Sequence, residues 1–130
     1  MAKIVLGLTL LAALAACPSF AADRPNEALF EQCKAYQKSK VDREGMDGSD
    51  AIKATACLSY MAGAFQTYNL AAQCSMSKRT VDGFIEDYMY FTRRGGYLTQ
   101  PQQVVAFMVL ESCYCGKEPA AALNCPQQAK

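Results

Sequence analysis

The sequence predicts an all-α protein: a small four-helix up-and-down bundle stapled by about three disulfides. Three observations support this class: apolar residues recur at helical spacing in four segments, turn-forming residues separate the segments, and six cysteines follow an export signal. With 130 residues, 52% of them hydrophobic, the chain is the size of one small domain, which profits from covalent cross-links.

Residues 1–22 are expected to form a signal peptide, and residues 23–130 the folded domain. Lys3 supplies a positive start, Ile4 to Ala16 an apolar stretch too short to span a membrane, and Ser19-Phe20-Ala21 a cleavage site. Export predicts a periplasmic location.

A second interpretation of this region is a bacterial lipobox, Leu14-Ala15-Ala16-Cys17, whose cysteine is lipid-modified. Lipidation of Cys17 is the one circumstance in which we expect membrane association. Both interpretations leave an even number of cysteines in an exported domain, as expected for disulfides: Cys33, Cys57, Cys74, Cys113, Cys115 and Cys125.

The first helix is predicted over Glu27 to Ser39, after an Asp23–Asn26 start signal. A charged, glycine-bearing loop, Asp42 to Gly48, precedes the central helix. Ser49 or Asp50 is expected to cap that helix.

The central helix is predicted from Ser49 to Ala72. One of its faces is bulky: Ala54, Cys57, Leu58, Met61, Phe65, Tyr68 and Ala72. The opposite face is mostly small: Ile52, Ala56, Ser59, Gly63, Gln66 and Leu70. This pattern predicts a helix contacted on both sides. Ala56, Ser59 and Gly63 permit close approach of another backbone, either a neighbouring helix or a second subunit.

The third helix is predicted to open at Ser77 and to stop at Arg93-Arg94-Gly95-Gly96, where a glycine takes the left-handed conformation. Its apolar face is Val81, Ile85, Tyr88 and Thr92, flanked by Phe84 and Met89. On the opposite side, Tyr90 is expected to stand among Glu86 and Asp87 on the solvent face.

The fourth helix is predicted to begin at a capping box, Thr99-Gln100-Pro101-Gln102, and to run through Val104 to about Cys113. Gly116 and Pro119 are expected to end it.

Helix order constrains the disulfides. Antiparallel packing of the first two helices brings Cys33 and Cys57 to one level, so we predict that they pair. A continuous central helix separates Cys57 from Cys74 by roughly 25 Å, too far for a bond. Cys74 is therefore expected to bond Cys113 or Cys115, leaving the other to pair with Cys125.

Composition excludes several function classes. The chain has no histidine, which removes the usual general base and the commonest metal ligand. Without Lys3, basic residues balance the 12 acidic ones, so nucleic acid is not an expected partner. Cys113-Tyr114-Cys115 admits a redox or metal alternative, but structural staples are favoured. We expect no catalytic site, metal or cofactor.

The run Ala56-Cys57-Leu58-Ser59-Tyr60-Met61-Ala62-Gly63 resembles the A-C-x-x-Y-apolar-x-G signature of the Rap/Tai class of immunity proteins, which protect bacteria from type VI secretion peptidoglycan amidases. The similarity continues through Cys74, the third helix and a last helix ending in cysteine. The resemblance implies an exported, helical, usually dimeric inhibitor of a toxin, without enzymatic activity or cofactor.

Two other functions stay open: a periplasmic holdase-type chaperone or stress protein, and a lipid-anchored envelope adaptor if Cys17 is modified.

Candidate partner-binding residues come from two segments. Tyr90, with Glu86 and Asp87, offers a rigid aromatic contact. The loop of Arg93, Arg94 and Tyr97 offers guanidinium groups that bind carboxylates. The alternatives are a single exposed aromatic and a helix C-cap with two solvated arginines.

Overall fold

A computed structural model describes residues 25–71, 79–115 and 125, and within these ranges the protein is helical. The helices are α1 (Asn26–Val41), α2 (Gly48–Ala71), α3 (Val81–Gly95) and α4 (Gln102–Leu110), with a 3-10 turn at Tyr97–Thr99 and a π-helical turn at Glu111–Cys115. The all-α prediction is confirmed. The signal peptide, the Cys17 lipobox, Cys74, Ser77, and the stop at Gly116 and Pro119 lie outside the described residues.

Each of the four helices contacts the other three, and α1 and α2 make the most extensive pair. The Cys33–Cys57 disulfide joins that pair, with α-carbons 5.0 Å apart. Both cysteines are fully buried, and the predicted bond is confirmed.

A second disulfide joins Cys113, in the middle of the π-helical turn, to Cys125, with α-carbons 5.7 Å apart. The alternative in which Cys113 bonds Cys74 is therefore wrong. Cys115 is disulfide-bonded as well. The two cysteines of the Cys113-Tyr114-Cys115 motif thus act as structural cross-links.

Two helix starts differ from the sequence prediction. Thr80 has an extended backbone, and its hydroxyl accepts the Gly83 N–H at 3.1 Å, so α3 begins at Val81 instead of Ser77. At α2, the Asp47 carboxylate accepts the Asp50 N–H at 2.7 Å. Asp47 is therefore the cap, in place of Ser49 or Asp50.

The capping box predicted at Thr99 is also wrong. Thr99 belongs to the 3-10 turn, and Pro101 occupies the N-cap position without a side-chain cap. The Gln102 side chain is buried.

The end of α3 follows the prediction. Gly96 has φ 69°, the left-handed conformation that glycine adopts without strain. Its neighbour Gly95 is needed for a different reason: a Cβ there would lie 2.0 Å from the Tyr97 ring. The two glycines let the chain reverse tightly into the 3-10 turn.

The core lies between the four helices: α3 and α4 supply most of its buried side chains, and α1 and α2 supply two each. Its largest fully buried side chains include Tyr88, Phe84, Leu29, Met61, Ile85 and Met89. The predicted apolar face of α3 is confirmed, except that Val81 is half-buried at its start.

A buried polar network fixes the start of α1 against α3. Asn26 is fully buried, accepts the Tyr88 hydroxyl through its side-chain oxygen, and donates to the Tyr97 carbonyl at 3.2 Å. Its backbone N–H donates to the Gln100 carbonyl at 2.8 Å. Burial raises the pKa of Tyr88, which keeps its hydroxyl protonated as a donor.

Candidate partner-binding surface

The most organised pair among the predicted contact residues is Tyr90 with Arg94, one helical turn apart on α3. The Arg94 guanidinium lies 4.6 Å from the centre of the Tyr90 ring and donates to its hydroxyl at 2.7 Å. Arg94 is exposed and Tyr90 is half-buried. Stacking and the hydrogen bond together restrict the rotamers of a side chain that is otherwise flexible.

The two arginines at this helix end have different surroundings. Arg93 donates to the Gln37 side-chain oxygen at 3.1 Å and stands 5.9 Å over the Phe30 ring, so it points toward α1. Tyr97 is half-buried, with its ring against Gly95. The structure therefore brings the side chains of Tyr90 and Arg94 into contact with each other. Arg93 and Tyr97 contact other parts of the fold instead.

Asp87 is not on the solvent face. Only 1% of the residue is exposed, and its carboxylate accepts the Tyr114 hydroxyl at 2.8 Å. The prediction failed because the π-helical turn after α4 brings Tyr114 over this side of α3. Arg79 lies 5.3 Å from the Tyr114 ring, and burial, then the bond to Asp87, raises the pKa of the tyrosine. Glu86 is exposed, as expected.

The small-residue face of α2 is mostly exposed and does not pack against another described helix of the same protomer. Ser59 and Gly63 are exposed, Ala56 is half-buried, and a Cβ placed on Gly63 would have no neighbour within 4 Å. Ile52 and Leu70, at the two ends of this face, are 74% and 82% exposed. Within one protomer, the described residues therefore do not support contact of this face by a neighbouring helix, and contact by a second subunit stays a prediction. The small face is a surface.

On its bulky face, α2 is joined to α4 by one aromatic contact. The Tyr68 and Phe107 ring centres are 5.9 Å apart, and the Tyr68 hydroxyl donates to Glu111 at 2.8 Å. Val104, one turn before Phe107, is 51% exposed. Sequence reasoning assigned no surface role to Val104 or Phe107, although two bulky apolar residues three apart on a short helix are a usable signal.

Sequence reasoning also missed a cluster at Tyr36. Its hydroxyl donates to Asp82, which accepts Lys40 at 3.1 Å as well. Burial and then the bond to Asp82 raise the pKa of Tyr36 to about 12, and the bond to Tyr36, then the bond to Lys40, lowers the pKa of Asp82. The tyrosine at i and the lysine at i+4 of α1 were the available signal.

The described residues contain neither a metal-binding cluster nor a membrane-spanning helix. Among residues 25–71, 79–115 and 125, no group of three or more cysteine or acidic side chains could hold a metal ion. No helix in this part of the chain has the length and apolar character needed to cross a bilayer.

No protein-family model, no curated protein and no solved structure matches this chain.

Proposed function

We propose that the chain is an exported immunity protein that binds and inhibits a type VI secretion peptidoglycan amidase. The supporting observation is the Tyr90–Arg94 pair, in which the tyrosine holds a surface guanidinium in one orientation on a disulfide-linked domain. In the proposed arrangement, residues 1–22 are a cleaved signal, and the mature protein is a periplasmic up-and-down bundle. The disulfides are compatible with an oxidising compartment.

The residues of the A-C-x-x-Y-apolar-x-G run support this proposal by their structural roles. Cys57 cross-links α2 to α1, Tyr60 packs half-buried against the core, and Met61 is fully buried. This short motif therefore joins two helices and fills part of the core. A binding protein without a reaction centre would carry its signature in such fold-determining contacts.

Inhibition would depend on the preformed position of Arg94. One of its five N–H donors is used by Tyr90. The others can bind a carboxylate on the toxin with little further loss of rotamer freedom. The Tyr90 ring supplies the rigid apolar contact that binding hot spots commonly contain.

The test needs a candidate amidase, which is sought among the reading frames that neighbour this gene. The purified chain is expected to form a stoichiometric complex with that enzyme and to stop peptidoglycan hydrolysis. Tyr90→Ala and Arg94→Ala are each expected to weaken binding by about 30-fold, the loss typical of a hot spot.

The matched control is Lys34→Ala, an exposed cation on α1 paired with Glu31 at 3.0 Å. Arg94→Ala and Lys34→Ala should retain the parent thermal stability, whereas Tyr90→Ala should lower it somewhat because the ring packs against Phe91 and the core. Unchanged affinity in both α3 variants removes this surface from the interface. The absence of any complex contradicts the immunity function.

We further propose that the small face of α2 pairs two copies of the chain. Exposed Ser59 and Gly63 allow close helix approach, and Ile52 and Leu70 supply apolar contact at either end. Light scattering of the free protein measures the oligomeric state directly.

The exposed apolar residues of α2 and α4 favour a second candidate, a holdase-type chaperone that would use Leu70, Val104 and Phe107 to bind unfolded clients. Capture from an envelope lysate separates the two functions: one amidase supports immunity, and many unrelated proteins support the holdase. A lipid-anchored adaptor stays a prediction of the Cys17 lipobox, which mass spectrometry of the mature amino terminus tests.

A further inference from the structure

An apolar groove of about 390 Å³ lies where α1, the 42–47 loop and the start of α2 meet. Its lining is mainly carbon: Tyr36, Ser39, Arg43, Met46, Ala51, Ala54, Thr55 and Leu58. Leu58 is 40% exposed at its edge. The volume is within the range of sites that hold small organic groups.

The hydroxyl groups of the groove already donate to the protein. Tyr36 donates to Asp82, Ser39 donates to the Tyr36 carbonyl at 2.6 Å, and Thr55 donates to the Ala51 carbonyl at 2.9 Å. A ligand would therefore receive little hydrogen bonding from these three residues, since their donors are used.

Arg43 differs from these three lining residues, because its donors are not used by the described part of the protein. Of the four arginines in the described part of the chain, Arg79, Arg93 and Arg94 have partners there, and Arg43 makes no hydrogen bond or ion pair with any described residue. The adjacent Asp42 carboxylate accepts the Gly45 N–H at 2.9 Å and caps the loop. The groove thus combines an apolar floor with one guanidinium whose donors are unused.

We propose that this groove binds the carboxyl-terminal residue of a partner polypeptide, with an apolar side chain against Met46 and Leu58 and the terminal carboxylate on Arg43. A guanidinium binds a carboxylate through two parallel N–H donors. A terminal residue carries both groups within a few bonds of each other, and the lining of this one small groove holds both a cation and apolar side chains. This site is separate from the Tyr90–Arg94 surface and does not depend on the proposed function.

The test follows amide NMR signals of the full mature chain during titration with N-acetyl-leucine, which mimics a carboxyl-terminal residue. Saturable shifts are expected around Arg43, Met46 and Leu58. The neutral N-acetyl-leucine amide is expected to bind about fivefold more weakly, the effect of one solvent-exposed ion pair. Arg43→Gln should lower the affinity for the acid to that for the amide.

Two controls make the result decisive. Lys53→Gln removes an exposed cation of α2 outside the groove lining and should leave both affinities unchanged. N-acetyl-leucyl-glutamate amide carries its carboxylate on a side chain and should bind no better than the neutral probe. The proposal is overturned if the acid produces no saturable shifts there, if Arg43→Gln has no effect, or if the internal glutamate binds as well as the terminal carboxylate.

Discussion

α2 and α3 are attached to the molecule in different ways. α3 buries seven of its 15 residues, whereas α2 buries three of its 24. Other elements surround α3, including Tyr114 of the π-helical turn, so burial extends even to Asp87. α2 makes its most extensive contact with α1, to which Cys57 also bonds it. Because few residues of α2 are buried, much of its circumference is free for a partner.

The greatest expected difference between the two helices is in stability. Phe84 on α3 is fully buried and packs against Phe65 and Tyr114 with ring centres 6.1 Å apart in each pair. Phe84→Ala should lower the free energy of unfolding by about 3–5 kcal/mol because it leaves a cavity. Leu70→Ala on α2 should change it by less than about 0.5 kcal/mol, since Leu70 is 82% exposed. Urea denaturation measures both, and similar losses would contradict the contrast.

A charge on the open face of α2 should affect association more than folding. Gly63→Arg places a long cation where a Cβ meets nothing within 4 Å, so helical content and cooperative unfolding should persist. If two copies pair through this face, the charge should convert the dimer to a monomer in light scattering.

Asn69→Arg is the control for that experiment, because Asn69 is exposed and lies about 100° around the helix from Leu70. A dimer that persists in Gly63→Arg, or dissociates equally in both variants, would exclude this face as the interface.

The smallest expected effect is on alkaline stability. The pKa values of Tyr36 and Tyr68 rise from 10.0 to about 12, chiefly through burial and then through bonds to Asp82 and Glu111. The folded state therefore keeps protons that the unfolded state releases above pH 10.0. Their contribution is fully present below that pH and is lost as the pH rises toward 12.

The urea midpoint, followed with tyrosinate absorbance, should fall over this pH range. The double variant Tyr36→Phe, Tyr68→Phe should show a shallower fall, because it lacks both titrating groups. An identical slope in the parent and the variant would mean that these tyrosines do not cause it.

The existence of the four helices was predictable because each helix depends on the spacing of apolar residues within its own segment. The C-terminus of α3 was predictable for the same reason, since Gly96 adopts the left-handed conformation that its residue type favours. The Cys33–Cys57 bond followed from the level of each cysteine on its own helix. Helix starts were less predictable: Thr80 and Asp47 compete with equally suitable neighbours for the cap.

The candidate surface was predictable only in part. Tyr90 and Arg94 were predicted as two separate candidates, and the structure shows that the Arg94 guanidinium lies on the Tyr90 ring and donates to its hydroxyl. Arg93 points toward α1 because Gln37 and Phe30 lie there, at positions distant in sequence. The partner assigned to this surface stays a prediction.

The sequence by itself determined the all-α class, the Cys33–Cys57 cross-link and the face that α3 turns inward, because helical periodicity and rise are local properties. Only the tertiary structure decided that Asn26 and Asp87 are buried and that the small face of α2 is open. Burial of a polar side chain requires a hydrogen-bonding partner, and the partners here, Tyr88 and Tyr114, lie 62 and 27 residues away. Such pairs depend on how the helices pack, which local spacing does not encode.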